Sequence, residues 1–234
     1  MWRIRFAATT YHRVDVKRQK KTAFFGGSFD PPHLGHLTVA AAALKFGFCA
    51  HVAWVPAFAP PHKNIRGASF ADRAKMVELT ISGRDGMSVN RIEDELRLTP
   101  SYTFEVLKAW FSRYGEMPAL LIGADSLLEL HTWHHAIELV GACRIITYPR
   151  DGAEITAEAL SRHWPKTTVT KLLSGVIPGD FFEISSSELK SRMEKFAEAG
   201  NIIYMKEYLA ESVCEYIIRN GLYAVDASGA NNPV

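Results

Sequence analysis

The chain has 234 residues, of which 47% are hydrophobic, and its formal net charge is +2. This length fits one α/β domain, or one domain with small appendages, and the apolar content supports a sizeable core. No apolar run approaches the roughly 20 residues that a membrane-spanning helix needs, so a membrane role is not expected.

The charge is unevenly distributed along the chain. Residues 1–21 hold seven basic side chains and one acid, so this segment is +6 and the remainder is −4. A mildly acidic body gives no reason to expect nucleic-acid binding. We expect residues 1–20 to be a disordered extension, although their basic, acid-poor composition leaves a transit peptide open. Residues 224–234, which are small and polar, are expected to form a disordered tail.

The cysteines are odd in number and far apart. Cys49, Cys143 and Cys214 show no C-x-x-C spacing and suggest neither a disulfide framework nor a zinc site. The simplest location for such a chain is a reducing cytoplasm.

Strands and helices are predicted to alternate. The predicted strands are 21–25, 51–55, 87–92, 119–122, 144–147 and 168–173. The predicted helices are 37–46, a helix capped by Ser69 and ending at Ile81, 102–114, turns at 127–131 and 134–139, 157–163, 186–197 and 205–219. The alternation predicts an α/β fold for residues 21–223: a Rossmann-like parallel sheet flanked by helices, with a small C-terminal helical part. Ligands of such folds bind beyond the carboxyl ends of the strands.

One stretch combines several signals for phosphate binding. Residues 26–36 read GGSFDPPHLGH and follow the first predicted strand. The glycines allow a phosphate to approach the backbone closely, and the following helix N-terminus offers N–H groups and partial positive charge. His33 and His36 are three residues apart, so on a helix they can point at the same anion.

These eleven residues resemble the signature of the nucleotidyltransferase superfamily, in which an H-x-G-H motif follows a G-x-F-D-P turn. They are most similar to the signature of bacterial nicotinate-nucleotide adenylyltransferases. The resemblance implies adenylyl transfer from ATP to nicotinate mononucleotide, which gives deamido-NAD and pyrophosphate in NAD biosynthesis. It implies that His33 and His36 are catalytic, on the α- and β-phosphates. It also implies ATP binding by Gly26, Gly27, Ser28 and Phe29.

Two further segments resemble the phosphate-binding parts of this family. Residues 60–63, PPHK, imply that Lys63 borders the phosphates and serves substrate binding; a solvated loop lysine is the alternative. Residues 184–190, ISSSELK, imply that Ser185, Ser186, Ser187 and Lys190 bind ATP, and Ser185 with Glu188 also fits a capping box. The family has an arginine at the position of Lys190, and lysine keeps the charge without the bidentate fork.

Two other segments resemble the acceptor site of the family. Residues 100–103, PSYT, imply that Tyr102 and Thr103 close over the pyridine ring, where a helix N-terminus favours the nicotinate carboxylate. Residues 123–126, GADS, imply that Asp125 binds ribose hydroxyls. Trp133 would stack on the positively charged pyridinium ring, and His134 would offer its backbone N–H to the carboxylate. Without the resemblance, both Tyr102 and Trp133 would be expected in the core.

The chemistry implied by the resemblance needs no general base. The 5′-phosphate of the acceptor is largely dianionic near neutral pH, because its second pKa is about 6. Catalysis must then come from positioning and from charge neutralisation. The expected cofactor is Mg²⁺, which would bridge phosphate oxygens and keep mostly water ligands. No set of protein metal ligands is predicted.

Several rival functions remain open at this stage. The same fold can use nicotinamide mononucleotide, phosphopantetheine or glycerol phosphate as acceptor, and the chain could be a non-catalytic nucleotide-sensing module. A tRNA-synthetase fragment ranks last, because the chain has no K-M-S-K-S-like loop and no basic body. The oligomeric state is left open, a homo-oligomer included.

Overall fold

A computed structural model describes residues 22–58, 67–150, 152–179, 186–198 and 202–223 of the chain. Side chains are described for all of these residues except 194–198 and 202–204. The predicted extension 1–20, the tail 224–234, Lys63 and Ser185 lie outside the described residues.

The described part of the chain contains one parallel sheet of five strands, in the order β3-β2-β1-β4-β5. Along β1 and β2, Phe25 lies beside Trp54, and between β4 and β5 Leu120 lies beside Ile145. The prediction of a Rossmann-like parallel sheet is confirmed. The strands are β1 Thr22–Gly27, β2 His51–Pro56, β3 Met87–Val89, β4 Ala119–Gly123 and β5 Ile145–Tyr148.

Successive residues of the central strands pack into two separate cores, because side chains alternate between the two faces of a sheet. Phe24, Leu120 and Ile122 belong to one core cluster, which also contains Leu107 and Leu139 from helices on that face. Phe25, Trp54 and Leu121 belong to the other, with side chains from helices on the opposite face. Both faces of the sheet are therefore covered, which explains the almost continuous apolar runs of β1, β2 and β4.

The helices flank this sheet, and the last helices of the chain follow the final strand. No helix among those described combines the length and hydropathy of a membrane span. The α-helices are α1 Leu34–Lys45, α2 Phe70–Ile81, α3 Ile92–Leu96, α4 Thr103–Tyr114, α5 Ala124–Leu128, α6 Ala136–Ala142, α7 Ala157–Ser161, α8 Lys166–Leu173, α9 Ser186–Glu198 and α10 Glu211–Arg219. Short 3₁₀ helices span Leu130–Thr132 and Ile202–Glu207.

The C-terminal helices form a third core cluster. Leu189 and Met193 of α9 pack with Val213 and Ile217 of α10 and with Met76 of α2. The small C-terminal helical part predicted from the sequence is thus attached to the sheet domain through α2.

The prediction of a strand at 168–173 is wrong, because these residues belong to helix α8. The run of threonine and valine favours a strand by local propensity. In the structure Pro165 begins the helix, and Val169 and Leu172 are buried at helical spacing. The hydroxyl of Thr170 donates to the carbonyl of Lys166 at 3.1 Å, so it is satisfied within the helix. Tertiary packing overrides propensity here.

Several other boundaries also differ from the predictions. The strand predicted at 87–92 ends at Val89, because Ile92 begins α3. The helix predicted at 205–219 is divided into the 3₁₀ helix and α10, since Ala210 is extended. Helix α1 begins at Leu34 rather than at residue 37.

Candidate active site

The glycine turn lies at the point where the direction of strand addition reverses. From β1 the chain builds outward to β2 and β3, while β4 and β5 lie on the other side of β1. The turn after β1 and the segment after β4 therefore meet at the topological switch point, where ligands of open α/β sheets bind.

Phe29 anchors the turn that follows β1. Its side chain is only 1% exposed, and its backbone has φ +47°, which is rare for a residue with a Cβ. The ring lies 5.5 Å from that of Phe25 and 5.2 Å from that of Trp54. A Cβ at Gly27 would lie 3.0 Å from the Phe29 ring, so a larger residue there would need that ring to shift by a few tenths of an ångström. Gly26, Gly27, Ser28 and Phe29, predicted to bind ATP, thus form the end of β1 and the start of the turn that follows it.

His33 and His36 cap the start of α1 reciprocally. The backbone N–H of His36 donates to Nδ1 of His33 at 3.3 Å, and the backbone N–H of His33 donates to Nδ1 of His36 at 3.2 Å. Their rings stack with centroids 3.6 Å apart. Because Nδ1 of each neutral ring is an acceptor, the proton of each ring is on Nε2. The H-x-G-H motif therefore supplies two neighbouring N–H donors, which no Ser-x-x-Glu capping box could do.

Burial keeps His33 neutral. The side chain is 5% exposed, and burial, assisted by the positive charge of Arg150, lowers the pKa of His33 from 6.5 to about 4. His33 therefore presents a neutral N–H donor at physiological pH, which a bound polyphosphate can polarise.

We expect His33 to make the free energy of unfolding depend on pH. Because the folded pKa lies below the unfolded value, the unfolded chain binds the proton first as the pH falls below 6.5. The stabilising contribution of the neutral ring is complete above that pH and is lost by about pH 4, a loss of about 3 kcal/mol. Urea unfolding of the protein and of His33→Asn across this range measures it. A constant stability difference between the two would contradict the expectation.

Asp30 is a buried carboxylate on which three distant segments converge. It is 2% exposed, and its Oδ1 accepts from the backbone N–H of Ala68 at 3.1 Å and from the hydroxyl of Tyr223 at 2.7 Å. Lys190 Nζ lies 2.8 Å from its Oδ2. A Cβ at Gly67 would lie 2.3 Å from Oδ2, so glycine is required there. Asp30 thus joins the turn between β1 and α1 to the loop after β2 and to the C-terminal helices.

Helix α9 begins against the same turn. The hydroxyl of Ser186, its first residue, donates to the carbonyl of Pro31 at 3.0 Å, and Ser187 is exposed beside it. Lys190, one turn further along α9, forms the ion pair with Asp30. The structure therefore places the start of α9, with these three predicted phosphate-binding residues, next to the turn that precedes His33, and Lys190 is directed at the carboxylate of Asp30.

Arg73 of α2 connects the turn after β1 to the loop after β2, a role that was not predicted from the sequence. Its guanidinium is 1% exposed and donates to the carbonyl of Ser28 at 2.7 Å and to that of Ala57 at 2.8 Å. It therefore holds the turns after β1 and β2 together. The available signal was an arginine on the otherwise apolar face formed by Ala74, Met76 and Val77.

The predicted acceptor residues gather at the start of α4 and in the segment before α6. Tyr102 precedes the first residue of α4, Thr103, and its ring stacks on that of His134 with centroids 4.4 Å apart. Trp133 is half-buried and packs on the edge of the first core cluster. The side chains of these four predicted acceptor residues therefore lie on neighbouring elements. The sequence predicted that they belong to one site only through its resemblance to the family.

A buried carboxylate holds the segment that precedes α4 in place. Glu93 of α3 is 7% exposed and accepts from the hydroxyl of Ser101 and from the backbone N–H of Phe58. Burial raises the pKa of Glu93, while these two donors oppose the shift. The carboxylate thus connects the loop after β2 to the segment that leads into α4.

Asp125 follows β4 and forms an exposed ion pair with Arg150. Arg150 Nη1 lies 2.9 Å from Oδ2 of Asp125, and both side chains are exposed. The positive charge of Arg150 also helps to lower the pKa of His33, so the cation that pairs with the predicted ribose-binding carboxylate also acts on the histidine site. No role was predicted for Arg150 from the sequence.

Taken together, the parallel sheet and the donor pair at its switch point define a nucleotide-binding α/β protein. The model of the cytidylyltransferase-like family matches residues 24–217. A Gloeobacter violaceus protein named "Probable nicotinate-nucleotide adenylyltransferase" is 34% identical over 211 residues, covering 89% of this chain and 98% of that protein. A Pectobacterium atrosepticum protein with the same name is 32% identical over 215 residues, covering 86% and 98%.

Solved structures show the same fold. The nicotinic acid mononucleotide adenylyltransferase of Plasmodium falciparum, complexed with NaAD, superposes with a TM-score of 0.68 at 20% identity. The match covers 88% of this chain and 98% of that one. The same enzyme complexed with APC gives a TM-score of 0.66 at 19% identity. This chain belongs to the cytidylyltransferase-like family, and its resemblance to the nicotinate-nucleotide adenylyltransferases is confirmed.

Proposed function

We propose that this protein transfers the adenylyl group of ATP to nicotinate mononucleotide, which yields deamido-NAD and pyrophosphate. The observation that carries the proposal is the pair of reciprocally capped histidines at the switch point, His33 and His36. Membership of the family and the similarity to proteins named as nicotinate-nucleotide adenylyltransferases support the same reaction.

The reaction exchanges one phosphorus–oxygen bond for another. An oxygen of the mononucleotide 5′-phosphate bonds to the α-phosphorus of ATP, and the bond from that phosphorus to the bridging oxygen of the β-phosphate breaks. Pyrophosphate leaves with the bonding electrons, so charge accumulates on the bridging oxygen. No proton has to be removed from the nucleophile, because it is already largely dianionic above a pKa of about 6.

The two imidazole rings supply the N–H donors that stabilise this developing negative charge. Their Nδ1 atoms are occupied by the backbone N–H groups of the capping box, so Nε2–H is the donor of each ring. We assign His33 and His36 to the α- and β-phosphates, where prearranged donors stabilise developing charge. The first turn of α1 contains no acidic side chain, so its helix dipole adds to the attraction.

The backbone N–H groups of α1 contribute less than the sequence suggested. The N–H of Leu34 donates to the carbonyl of Tyr208 at 2.7 Å, and that of His36 donates to His33. Because these two groups are used internally, the imidazole side chains take over the role of main-chain amides at this helix start.

Mg²⁺ is the proposed cofactor, carried on the phosphates of ATP. The carboxylates that follow β1 and β4 suit this arrangement, because Asp30 is engaged with three donors and Asp125 with Arg150. Such residues fit an ion that keeps water and phosphate oxygens as its ligands. When bound, the ion neutralises phosphate charge; the histidines orient the chain of phosphates.

Lys190 and the start of α9 complete the proposed ATP site. Lys190 lies 2.8 Å from Asp30 and Ser186 binds the carbonyl of Pro31, so α9 is fastened to the phosphate turn. We propose that phosphate oxygens compete with Asp30 for the ammonium group of Lys190. Ser185 and Lys63, which lie outside the described residues, are retained as proposed contacts.

The proposed acceptor site is formed by the start of α4 and by the segments between β4 and α6. Thr103 and the N-terminus of α4 would bind the nicotinate carboxylate, with the backbone N–H of His134. Trp133 and Tyr102 would enclose the pyridinium ring, and Asp125 would bind ribose hydroxyls. Asp125 pairs with Arg150, so ribose binding would have to share or displace that contact.

Pyrophosphate release tests the reaction. We expect it to require both ATP and the mononucleotide and to produce deamido-NAD in equal amount. Binding of ATP without release in the presence of any acceptor would instead support a nucleotide-sensing module.

Acceptor choice gives a sharper expectation. A helix N-terminus favours an anion by up to about 2 kcal/mol in partly buried sites, so we expect kcat/KM to be about 5- to 30-fold higher for nicotinate than for nicotinamide mononucleotide. The variant Thr103→Val should narrow this preference, because it removes one donor and keeps the shape. Equal efficiency with both acceptors would remove the carboxylate argument.

We further propose that residues 21–223 act as one catalytic unit, since the family match lies within them. A cytoplasmic location is proposed from the cysteines, because Cys49, Cys143 and Cys214 are free, buried thiols.

A further inference from the structure

Two histidines and a carboxylate converge at the edge of the proposed acceptor site. Glu105 of α4, His134 and His135 each offer one ligand atom, and these atoms all lie within 4.8 Å of one another. In tetrahedral zinc sites the ligand atoms stand roughly 3.4 Å apart, so small side-chain rotations would bring the three into range. We propose that Glu105, His134 and His135 form a binding site for a divalent transition-metal ion such as Zn²⁺.

The backbone of His135 is shaped to bring the two rings together. Consecutive side chains of an extended segment point in opposite directions. His135 instead has φ +55°, and its ring centroid lies 4.2 Å from that of His134. A residue with a Cβ in this conformation is strained, and such strain collects at functional sites. His135 therefore adopts an unfavourable backbone conformation in the arrangement that brings the two imidazole rings together.

A second carboxylate is placed as in established metal sites. Oε1 of Glu138 lies 2.8 Å from Nδ1 of His135. Metal-bound histidines almost always donate their other ring N–H to such a group, which fixes the tautomer and strengthens the ligand. In the proposed site Nε2 of His135 bonds the ion, and Glu138 accepts the proton of Nδ1.

The ligand set selects the kind of metal. Two imidazoles and one carboxylate suit zinc, nickel, cobalt or copper, whereas Mg²⁺ prefers oxygen ligands. Three protein ligands leave at least one position for water, as in open zinc sites. Lys108 Nζ lies 3.1 Å from Oε2 of Glu105, so this ammonium group competes with the ion for that carboxylate.

The position of the site indicates what the ion would do. Glu105 belongs to the first turn of α4, whereas His134 and His135 precede α6, so one ion would tie these two elements together. The ring of His134 also stacks on Tyr102. The ion would therefore fix the two side chains that border the proposed acceptor pocket. The site itself does not depend on which acceptor the enzyme uses.

A second pair of histidines serves as the discriminating control. The rings of His131 and His163 stack in parallel with centroids 3.5 Å apart. They belong to no group of three possible ligands within the described residues. A general affinity of the protein for metals would involve this pair as much as the proposed site.

The experiment uses the full chain without a histidine tag, stripped with a chelator and titrated with Co²⁺ and then Zn²⁺. We expect one equivalent of Co²⁺ to give the absorption of a low-symmetry nitrogen–oxygen site and to be displaced by Zn²⁺. His135→Ala and Glu105→Gln should weaken Zn²⁺ binding at least tenfold. Glu138→Gln should weaken it about 10- to 100-fold, as loss of an outer hydrogen bond does in other sites. His163→Ala and His51→Ala should change it less than twofold.

Thermal unfolding provides a second readout that does not require turnover. Zn²⁺ should raise the Tm of the protein but not that of His135→Ala, because only a folded site binds the ion. The metal-free Tm values report whether each variant folds. The proposal is overturned if Zn²⁺ binds His135→Ala as tightly as the unchanged protein, if His163→Ala abolishes binding instead, or if no ion is retained at micromolar concentrations.

Discussion

Replacing His36 with alanine is expected to lower kcat by about 10²- to 10³-fold, the usual cost of removing one prearranged donor from a charged transition state. The KM for the mononucleotide should change little, because the proposed acceptor site lies on α4 and before α6. Steady-state kinetics with ATP and nicotinate mononucleotide measure both constants.

The variant His36→Asn separates catalysis from helix capping. Asparagine can keep an acceptor for the backbone N–H of His33, which His36 binds at 3.2 Å, while it removes the imidazole. We expect the two variants to lose similar amounts of kcat, and His51→Ala to lose none. If either variant raised the KM for ATP and left kcat unchanged, the ring would only bind ATP in the ground state.

Replacing Asp30 with alanine is expected to lower the free energy of unfolding by about 3–5 kcal/mol, the cost of removing one partner of a buried ion pair. The substitution deprives Lys190, Tyr223 and the N–H of Ala68 of their shared acceptor. Urea unfolding, followed by circular dichroism, measures the change.

Two matched substitutions test the reason for that loss. Asp30→Asn keeps the shape and a carbonyl acceptor, so it should cost less than Asp30→Ala. Glu78→Gln removes a carboxylate that pairs with Lys75 and Arg91 at the surface, and it should change stability by no more than about 1 kcal/mol. A loss at Asp30 no larger than that at Glu78 would show that the buried contacts contribute little.

The features that could be predicted from the sequence depend on local pattern. Buried parallel strands require continuous apolar runs, so β1, β2 and β4 were located within one or two residues. Ser69 was predicted to cap α2, and its hydroxyl accepts from the N–H of Asp72 at 3.2 Å. The histidine motif was found because its residues are contiguous.

The features that could not be predicted depend on residues far apart in the chain. Nothing near Asp30 indicates that Lys190 and Tyr223 reach it, and nothing near Glu105 indicates that it faces His135. The error at 168–173 has the same origin: β-branched residues favour a strand, but packing of Val169 and Leu172 selects a helix.

The contact between Asp30 and Tyr223 spans 193 positions. On the ribosome the segment from Gly26 to His36 is synthesised well before its partners, and the carboxylate of Asp30 can meet Tyr223 only after 193 further residues have been added. Native pairings of such long range form slowly, and incomplete chains expose the surfaces that they later cover. A nascent chain halted before α9 would therefore carry the whole histidine motif without the contacts from Ser186, Lys190 and Tyr223 that hold its turn in place.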